Sequence, residues 1–461
     1  MNKWLSLFIF FFTFGVYLRT LTPGVGLDDS GELVTCAYLL SIAHAPGYPL
    51  YLLIGKVFTF LPFGEIAFRL NLMSALFSAL SCSLIFLIIF FITRSRFSGL
   101  MSSFCFGFSY TCWTLSIKAE VYTLNIFLLS LLIVIFLIWR QGKKTLLLYL
   151  FFFIYGLSPG NHLTIILFLP IFFYFIIKER VRQLGKFILP FFLGLSIYLY
   201  IPIRSFDDII VVNWSKVTTF NDFFNYISGS HFKKLLFCSP VFEVTKNLWH
   251  YFLLLITQFP AFAFSFGIIG FLKSFNKNFT LLISLMWLFL VIFCINYDIG
   301  DIWSLYLPTY LFFSLFIGMG IWFLIKRTSP HKQLWTQAII IISLFFSFQL
   351  PYWLGGYKID RSKYFSPYDF CSQALRWLPH NSLVISNWGY ATCFWYCQNV
   401  SFLRKDIKVV TCKKEKGNLE IMLKKYPSYS SIYLIYPRYE YFSSPRNAIF
   451  KICKREIKKL R

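Results

Sequence analysis

Residues 27–56 read "LDDSGELVTCAYLLSIAHAPGYPLYLLIGK" and hold Asp28, Asp29, Glu32 and His44. Carboxylates and imidazoles are the groups that take or give a proton when a bond to oxygen is made or broken. Asp28, Asp29 or Ser30 can equally N-cap a helix, and Glu32 in its first turn suits the helix dipole. Capping accounts for one acid and leaves a second acid and His44 over. On such a helix Asp29, Glu32 and Cys36 share one face, with Leu33, Ala37 and Leu40 on another. The turn His44–Pro49 then breaks it, and residues 50–62 read as a second helix. Both are too interrupted to span a bilayer and are expected along a membrane surface. Asp, Glu and His also suit a hard divalent cation. No ligand spacing here is specific, so no metal ligand is assigned, no resident cofactor is expected and metal dependence is left open.

The elements that must position these groups are membrane spans. The chain has 461 residues, 57% hydrophobic, 22% aromatic and only 14% charged, with 59 Phe. That composition excludes an ordinary soluble domain. About eleven apolar segments approach span length, near 4–20, 71–92, 98–115, 123–139, 145–158, 163–177, 187–203, 248–272, 279–296, 304–325 and 335–354. Arg94, Arg96, Arg140, Lys143, Lys144, Lys178, Arg180, Lys186, Lys273, Lys326 and Arg327 follow even-numbered segments. The positive-inside rule therefore sets the N-terminus in the cytoplasm and the acidic loop outside. Asp28, Asp29, Glu32, Glu65, Glu120, Asp298 and Asp301 fall on that outer side, as do Asn161, His162 and Arg204, while Glu179 is cytoplasmic. An ionisable group at membrane depth costs at least ~2.5–3.5 kcal/mol, so those bordering apolar sequence are functional candidates.

These residues carry a family resemblance. Asp29–Glu32 ("DSGE"), His44–Pro49 ("HAPGYP") and Phe63–Leu72 ("FGEIAFRLNL") resemble the bacterial and animal family of protein O-mannosyltransferase-like membrane proteins, within the GT-C superfamily of glycosyltransferases. Ala45 stands where the family usually has Pro. "WTLSIKAEVYTLN" (113–125), "GLSPGNHLT" (156–164), "YLYIPIRS" (198–205) and Asn213–Trp214 follow in the family's order.

The resemblance implies an α-helical polytopic GT-C-type fold, with interfacial helices in the first outer loop. It implies transfer, with inversion, of a sugar from a polyprenyl-phosphate carrier to a hydroxyl of an exported protein or envelope glycan. Mannose is the sugar by family analogy. Asp29, in the family-matching position, is expected as the base, with Asp28 as its alternate and Glu32 orienting Asp29 or touching a substrate. Arg204 is the first candidate for the lipid phosphate, because a guanidinium offers a planar fork. His162 and Arg69 come next, Arg69 equally as an interfacial anchor. His44, Glu120, Asn125 and Asn161 are expected around the sugar. Asp298 and Asp301 either contact sugar or acceptor, or cap a helix.

Residues 1–354 form the expected membrane domain and 355–461 a basic α/β domain of about three strands on the outer side. That tail carries twenty Lys+Arg against seven Asp+Glu, thirteen of the chain's twenty-five net positive charges. Lipid headgroups or an acidic acceptor suit such a surface; nucleic acid does not, because the other basic clusters are cytoplasmic anchors. Its cysteines can pair in an oxidising compartment. A bacterial cytoplasmic membrane is the expected location. A transporter or flippase of a lipid-linked sugar is the alternative reading, and would place charge near mid-membrane, where these segments have almost none. Alkaline phosphatase fused after Gly142 is expected to be inactive and after Asp360 active; the reverse pattern would turn the topology over.

Overall fold

The computed structural model describes residues 2–181, 183–205, 217–274, 278–353, 359–411, 431–435 and 449–451. Helix α1 (Asn2–Thr20) leads through a turn to α2 (Ser30–Leu39), α3 (Pro49–Thr59) and the long α4 (Ile66–Thr93). Then come α5 (Arg96–Gly107), α6 (Tyr110–Ser116), α7 (Tyr122–Gly142), α8 (Thr145–Leu157), α9 (Leu169–Lys178), α10 (Ile188–Leu195) and α11 (Tyr200–Ser205). The chain continues with α12 (Phe220–Ile227), α13 (Ser230–Lys233), α14 (Val241–Gln258), α15 (Phe262–Ser274), α16 (Asn278–Ile295), α17 (Ile302–Leu305), α18 (Leu307–Arg327) and α19 (Pro330–Trp353). The apolar segments expected from the sequence fall on helices over the described residues, with 98–115 divided between α5 and α6 at Phe108 and Ser109.

Among the described residues five stretches are long and apolar enough to cross a membrane: α4, α7, Leu184–Ser205, α16 and α18. A sixth appears if α14 and α15 count as one span, bent by 114°. The sequence predicts that span unbroken over 248–272. The break falls at Pro260, which has no N–H to continue the ladder, and at Ala261, whose φ is 50°. Gln258, buried at the break, turns its side-chain oxygen to the Thr111 N–H at 2.8 Å and so satisfies the start of α6.

Helices α4, α7 and α18 lie near the centre, α4 packing on α1, α5 and α7, and α18 on α15. In a bilayer, helices approach through small residues rather than by burying apolar surface from water. A Cβ on Gly270 would lie 1.8 Å from the Phe316 carbonyl oxygen, and one on Gly320 2.0 Å from that of Phe266.

After α19 come α20 (Ser366–Trp377), β1 (Leu383–Ser386), α21 (Trp388–Asn399), β2 (Lys408–Thr411), β3 (Ile432–Ile435) and β4 (Ile449–Lys451). The sheet order is β2-β1-β3-β4, with β1 parallel to β2 and β3, and β3 antiparallel to β4. Strand β1 is buried at all four residues, as its unbroken Leu-Val-Ile run requires between two parallel neighbours. Asn213, Trp214, Cys412 and Cys453 lie outside the described residues. Cys371, Cys393 and Cys397 are buried thiols.

A second expectation changes. Helix α2 is not an exposed surface helix: Ser30 to Ala37 are all buried, with α21 packed against it at Gly31 and α3 and α4 on other sides.

Overpacking a close crossing typically costs about 1–3 kcal/mol. Gly270→Ala should therefore lower the melting temperature of the protein in detergent. Gly15→Ala, which meets nothing within 4 Å, should leave it unchanged.

Candidate active site

The fold gathers its ionisable groups at the start of α2. Asp29 is the N-cap residue, yet its side chain makes no capping hydrogen bond. The capping explanation of these acids is therefore not the one realised. Glu32, one turn on, is fully buried. Its two oxygens are taken by one residue: Oε1 accepts the His44 backbone N–H at 2.8 Å, and Oε2 lies 2.6 Å from His44 Nδ1. The turn after α2 makes this possible by folding the chain back. Leu40 closes the helix in a left-handed conformation, and the carbonyls of Ser41 and Ala43 are held by the hydroxyls of Tyr200 and Tyr226. On its other edge His44 Nε2 meets Tyr48 Oη at 2.9 Å and Asp29 Oδ2 at 4.0 Å.

The charges follow from this geometry. Burial alone would lower the basicity of His44; the Glu32 and Asp29 charges outweigh it and raise its pKa to about 9. The ring is an imidazolium at neutral pH. Burial pushes the Asp29 carboxyl above the usual range, His44 offsetting part of that and Glu32 adding to it. Asp29 is thus a stronger base than an exposed carboxylate.

A second cluster faces the first. Lys118 Nζ lies 3.0 Å from Glu120 Oε1 and 3.8 Å from Asp28 Oδ2, and 5.7 Å from the Trp303 ring centre. Burial pushes Glu120 up to about 8 against the pull of Lys118. Burial also works against the Lys118 charge, but Glu120 and Asp28 hold it above its ordinary value. The loop is strapped down by Asn71: its side-chain N–H groups reach the Thr22 and Gly24 carbonyls, 2.8 and 2.9 Å away, and its oxygen takes the Ala119 N–H at 2.7 Å. One buried amide thus fixes both the chain entering the Asp28–Asp29 turn and the chain entering Glu120.

The remaining candidates divide. Asp301 leaves its helix uncapped and instead accepts the Tyr122 hydroxyl at 3.3 Å, and burial pushes its carboxyl up, with Asp29 adding to it. His162 Nδ1 accepts the Thr164 N–H at 3.3 Å, and its ring lies 5.5 Å from Tyr122 and 6.5 Å from Tyr48. Burial, then the charge on His44, lowers its pKa to about 4, so it is a neutral imidazole. Asn125 and Asn161 are buried beside it, held through Thr164 and the Val121 carbonyl. Among the described residues, neither amide oxygen has a donor.

Arg204 sits elsewhere: its guanidinium holds the Leu40 and Leu39 carbonyls at 2.6 and 3.4 Å. That is the C-terminal end of α2, roughly 16 Å along the helix from Asp29 at 1.5 Å per residue. Arg69 holds the carbonyls of Thr59, Phe63 and Gly64, at 2.5, 3.1 and 2.9 Å, and clamps the α3–α4 turn. Asp298 is exposed, its N–H given to the Leu235 carbonyl at 3.0 Å.

Lys118, Asn71 and Trp388 were not singled out as site residues from the sequence. The first two lie inside the family-like stretches, where a cation between Trp113 and Glu120 and an Asn in an apolar helix were the available signals. Trp388, from α21, donates its indole N–H to Asp29 Oδ1 at 2.6 Å, and no local pattern announces it.

Donor atoms of Asp29, Glu32 and His44 lie within 4.8 Å of one another, close enough to share a divalent cation. The 2.6 Å Glu32–His44 contact has the length of a charge-assisted hydrogen bond. A separate apolar cavity of ≈ 930 Å³ runs between α1, α5 and α19, lined by Phe12, Phe104, Trp113 and Leu344, with Arg19 and Asp360 also on its wall. None of the acids around α2 lines it.

Comparison with known proteins bears out the resemblance read from the sequence. Residues 29–185 match the family described as Protein O-mannosyl-transferase TMEM260 N-terminal domain. That segment begins at Asp29 and takes in Glu32, His44, Asn71, Lys118, Glu120 and His162, but neither Asp301 nor Trp388. The chain is 32% identical over 233 residues to Protein O-mannosyl-transferase TMEM260 of Mus musculus, covering 48% of this chain and 33% of that one. To Protein O-mannosyl-transferase tmem260 of Dictyostelium discoideum it is 24% identical over 430 residues, covering 80% and 52%. The chain thus spans between a third and about half the length of these curated relatives. Its fold is similar to that of ArnT from Cupriavidus metallidurans, solved bound to undecaprenyl phosphate (TM-score 0.56, 10% identity, 94% and 96% of the two chains). The apo state of the same protein gives 0.58 at 11% identity, covering 94% and 92%. The fold is that of a GT-C-type multi-pass membrane protein with a small C-terminal α/β segment.

The folded pKa of His44, about 9, lies above its ordinary 6.5. Its pairing therefore stabilises the fold fully below pH 6.5, and that contribution fades as pH rises through 9. Wild-type melting temperature should fall across this window, by the equivalent of on the order of 3 kcal/mol. Glu32→Gln should melt lower and lack the slope.

Proposed function

We propose that the chain is a glycosyltransferase that moves a sugar from a polyprenyl-phosphate carrier to a hydroxyl of an exported protein on the non-cytoplasmic face, with Asp29 as general base. One observation carries this. Of the two carboxylates beside His44, Glu32 is fully buried and committed to it, while Asp29 is 26% exposed, with Oδ2 only 4.0 Å from the imidazolium. Asp29 is the one that can meet an incoming hydroxyl. The names of the relatives support a mannosyl donor and a protein acceptor. The undecaprenyl phosphate bound by the ArnT fold supports a lipid-linked donor.

The step runs as follows. The acceptor hydroxyl gives its proton to Asp29 Oδ2 as its oxygen bonds to the anomeric carbon from the face opposite the phosphate. The carbon–oxygen bond to phosphate breaks with its electron pair on the departing polyprenyl phosphate. His44, held charged by Glu32, steadies the carboxylate before transfer, and Asp29 returns the proton to water afterwards. Lys118, its charge held by Glu120 and Asp28, is the cation assigned to the departing phosphate. Such fixed charges need not reorganise as the leaving group develops. Neutral His162 and the spare amide oxygens of Asn125 and Asn161 suit sugar hydroxyls, which both give and accept hydrogen bonds. Arg204 and Arg69 act at one remove, holding α2 and the α3–α4 turn. The transporter alternative gains no support from the long spans, whose charged residues stand at their ends.

Loss of a positioned general base costs about 10²–10⁴-fold. With labelled mannosyl polyprenyl phosphate and membranes holding native acceptors, Asp29→Asn should lose transfer by that factor at equal expression, and Asp28→Asn should keep most of it. Full transfer by Asp29→Asn would remove Asp29 from the role.

A further inference from the structure

We infer that the segment after the last membrane helix is part of the catalytic centre, with Trp388 of α21 as the residue that positions the Asp29 carboxylate. This rests on Asp29 being the base, and it adds a second requirement: the site is incomplete without α21.

Nothing in its own helix orients Asp29, since the N-cap side chain makes no capping bond. Orientation comes from outside. The Trp388 indole N–H meets Oδ1 at 2.6 Å, a short charge-assisted bond. Indole can donate but not accept. It pins one oxygen and cannot carry the proton, which leaves Oδ2 toward His44 and the reacting hydroxyl. The indole is itself held edge-on between Trp395, 5.8 Å away, and His44, 5.9 Å away.

The helix that brings Trp388 is docked to the chain on both sides of Asp29. The Thr392 hydroxyl donates to the Asp28 carbonyl at 2.6 Å. A Cβ on Gly31 would lie 2.4 Å from the Thr392 backbone carbon, and one on Gly389 3.1 Å from the Asp28 nitrogen. Neither glycine has room for a side chain against the facing backbone, so α2 and α21 cannot shift past each other without losing the indole contact. Asp28 itself holds a left-handed φ of 63°, the bend that turns Asp29 toward α21.

A mere latch between two parts of the chain would use the same contacts, and titration separates the two roles. The charged groups facing Asp29 are Asp28 and Glu32 from its own segment, His44 from the α2–α3 turn, Lys118 and Glu120 before α7, and Asp301 before α17. None of them changes in Trp388→Phe, which keeps an aromatic ring and removes the N–H. Removing a donor that favours the ionised form raises the carboxyl's pKa.

The experiment uses the full chain in lipid nanodiscs and two readouts. In the first, a hydrophobic carbodiimide modifies protonated Asp29, and the pH midpoint of modification is read by peptide mass spectrometry. In the second, transfer is followed from labelled mannosyl polyprenyl phosphate to a threonine-containing peptide. In Trp388→Phe the modification midpoint should move up by about one unit. The acid limb of the transfer profile should move with it, and kcat should fall about tenfold or more with little change in donor KM. An unshifted midpoint would overturn the positioning role, whatever happens to melting temperature. A shifted midpoint with no transfer by the wild type would uphold the positioning of Asp29 and sink the glycosyltransferase reading instead.

Discussion

A carboxylate shut away from water has to find its counter-charge inside the protein, and Glu32 finds it in a single residue. Stripping such a group of solvent costs several kcal/mol, recovered only when each oxygen is met by a well-placed donor. The backbone N–H and the ring of His44 supply both. That demand dictates the shape of the turn after α2: the helix must end at Leu40, the chain must double back, and tyrosines from α11 and α12 must hold the returning carbonyls. With His44 fixed, Asp29 acquires a cation beside one oxygen, and the neighbouring histidine, His162, is pressed into its neutral form.

The acids near the site are chemically alike and are told apart by surroundings alone. Glu32 is buried and paired with His44, Glu120 is buried against Lys118, Asp28 is exposed beside Lys118, and Asp29 is half-buried and held by Trp388. Differences of environment of this kind let one residue type serve several purposes at one pH. The strap at Asn71 matters for the same reason, since it sets the spacing between the two acidic turns without contributing any charge.

That the chain is a multi-pass helical membrane protein was legible in the sequence because apolar span length is a local property. The first acidic helix, its turn and the family resemblance were legible too, and the tail helices over α20 and α21 were visible as patterns. The carbonyls that Arg204 and Arg69 hold were not. A sequence displays a cation and its depth, but not which carbonyls a helix end or a turn will leave wanting a donor. The burial of α2 was missed for a related reason. Its polar residues predict water, whereas α2 is enclosed by the returning chain at His44 and by a helix that lies more than three hundred residues away. The kink at Pro260 could have been read from the proline, yet a run of apolar residues argues for continuity, and only Gln258 bonding to α6 shows how the interrupted backbone is satisfied.

The contact between Trp388 and Asp29 joins residues 359 positions apart, and this has a consequence for how the protein is made. At ribosomal speeds of about 5–20 residues per second, roughly 20 to 70 s separate the appearance of the acid from that of its indole partner. During that interval the acidic turn is already synthesised among membrane lipids while its carboxylate has no fixed direction. A chain that stalls before α21, or that is cut short there, carries the acids without the means to aim them. On the roles proposed for Asp29 and Trp388, completion of the polypeptide is what aims the base, and products truncated before α21 lack it.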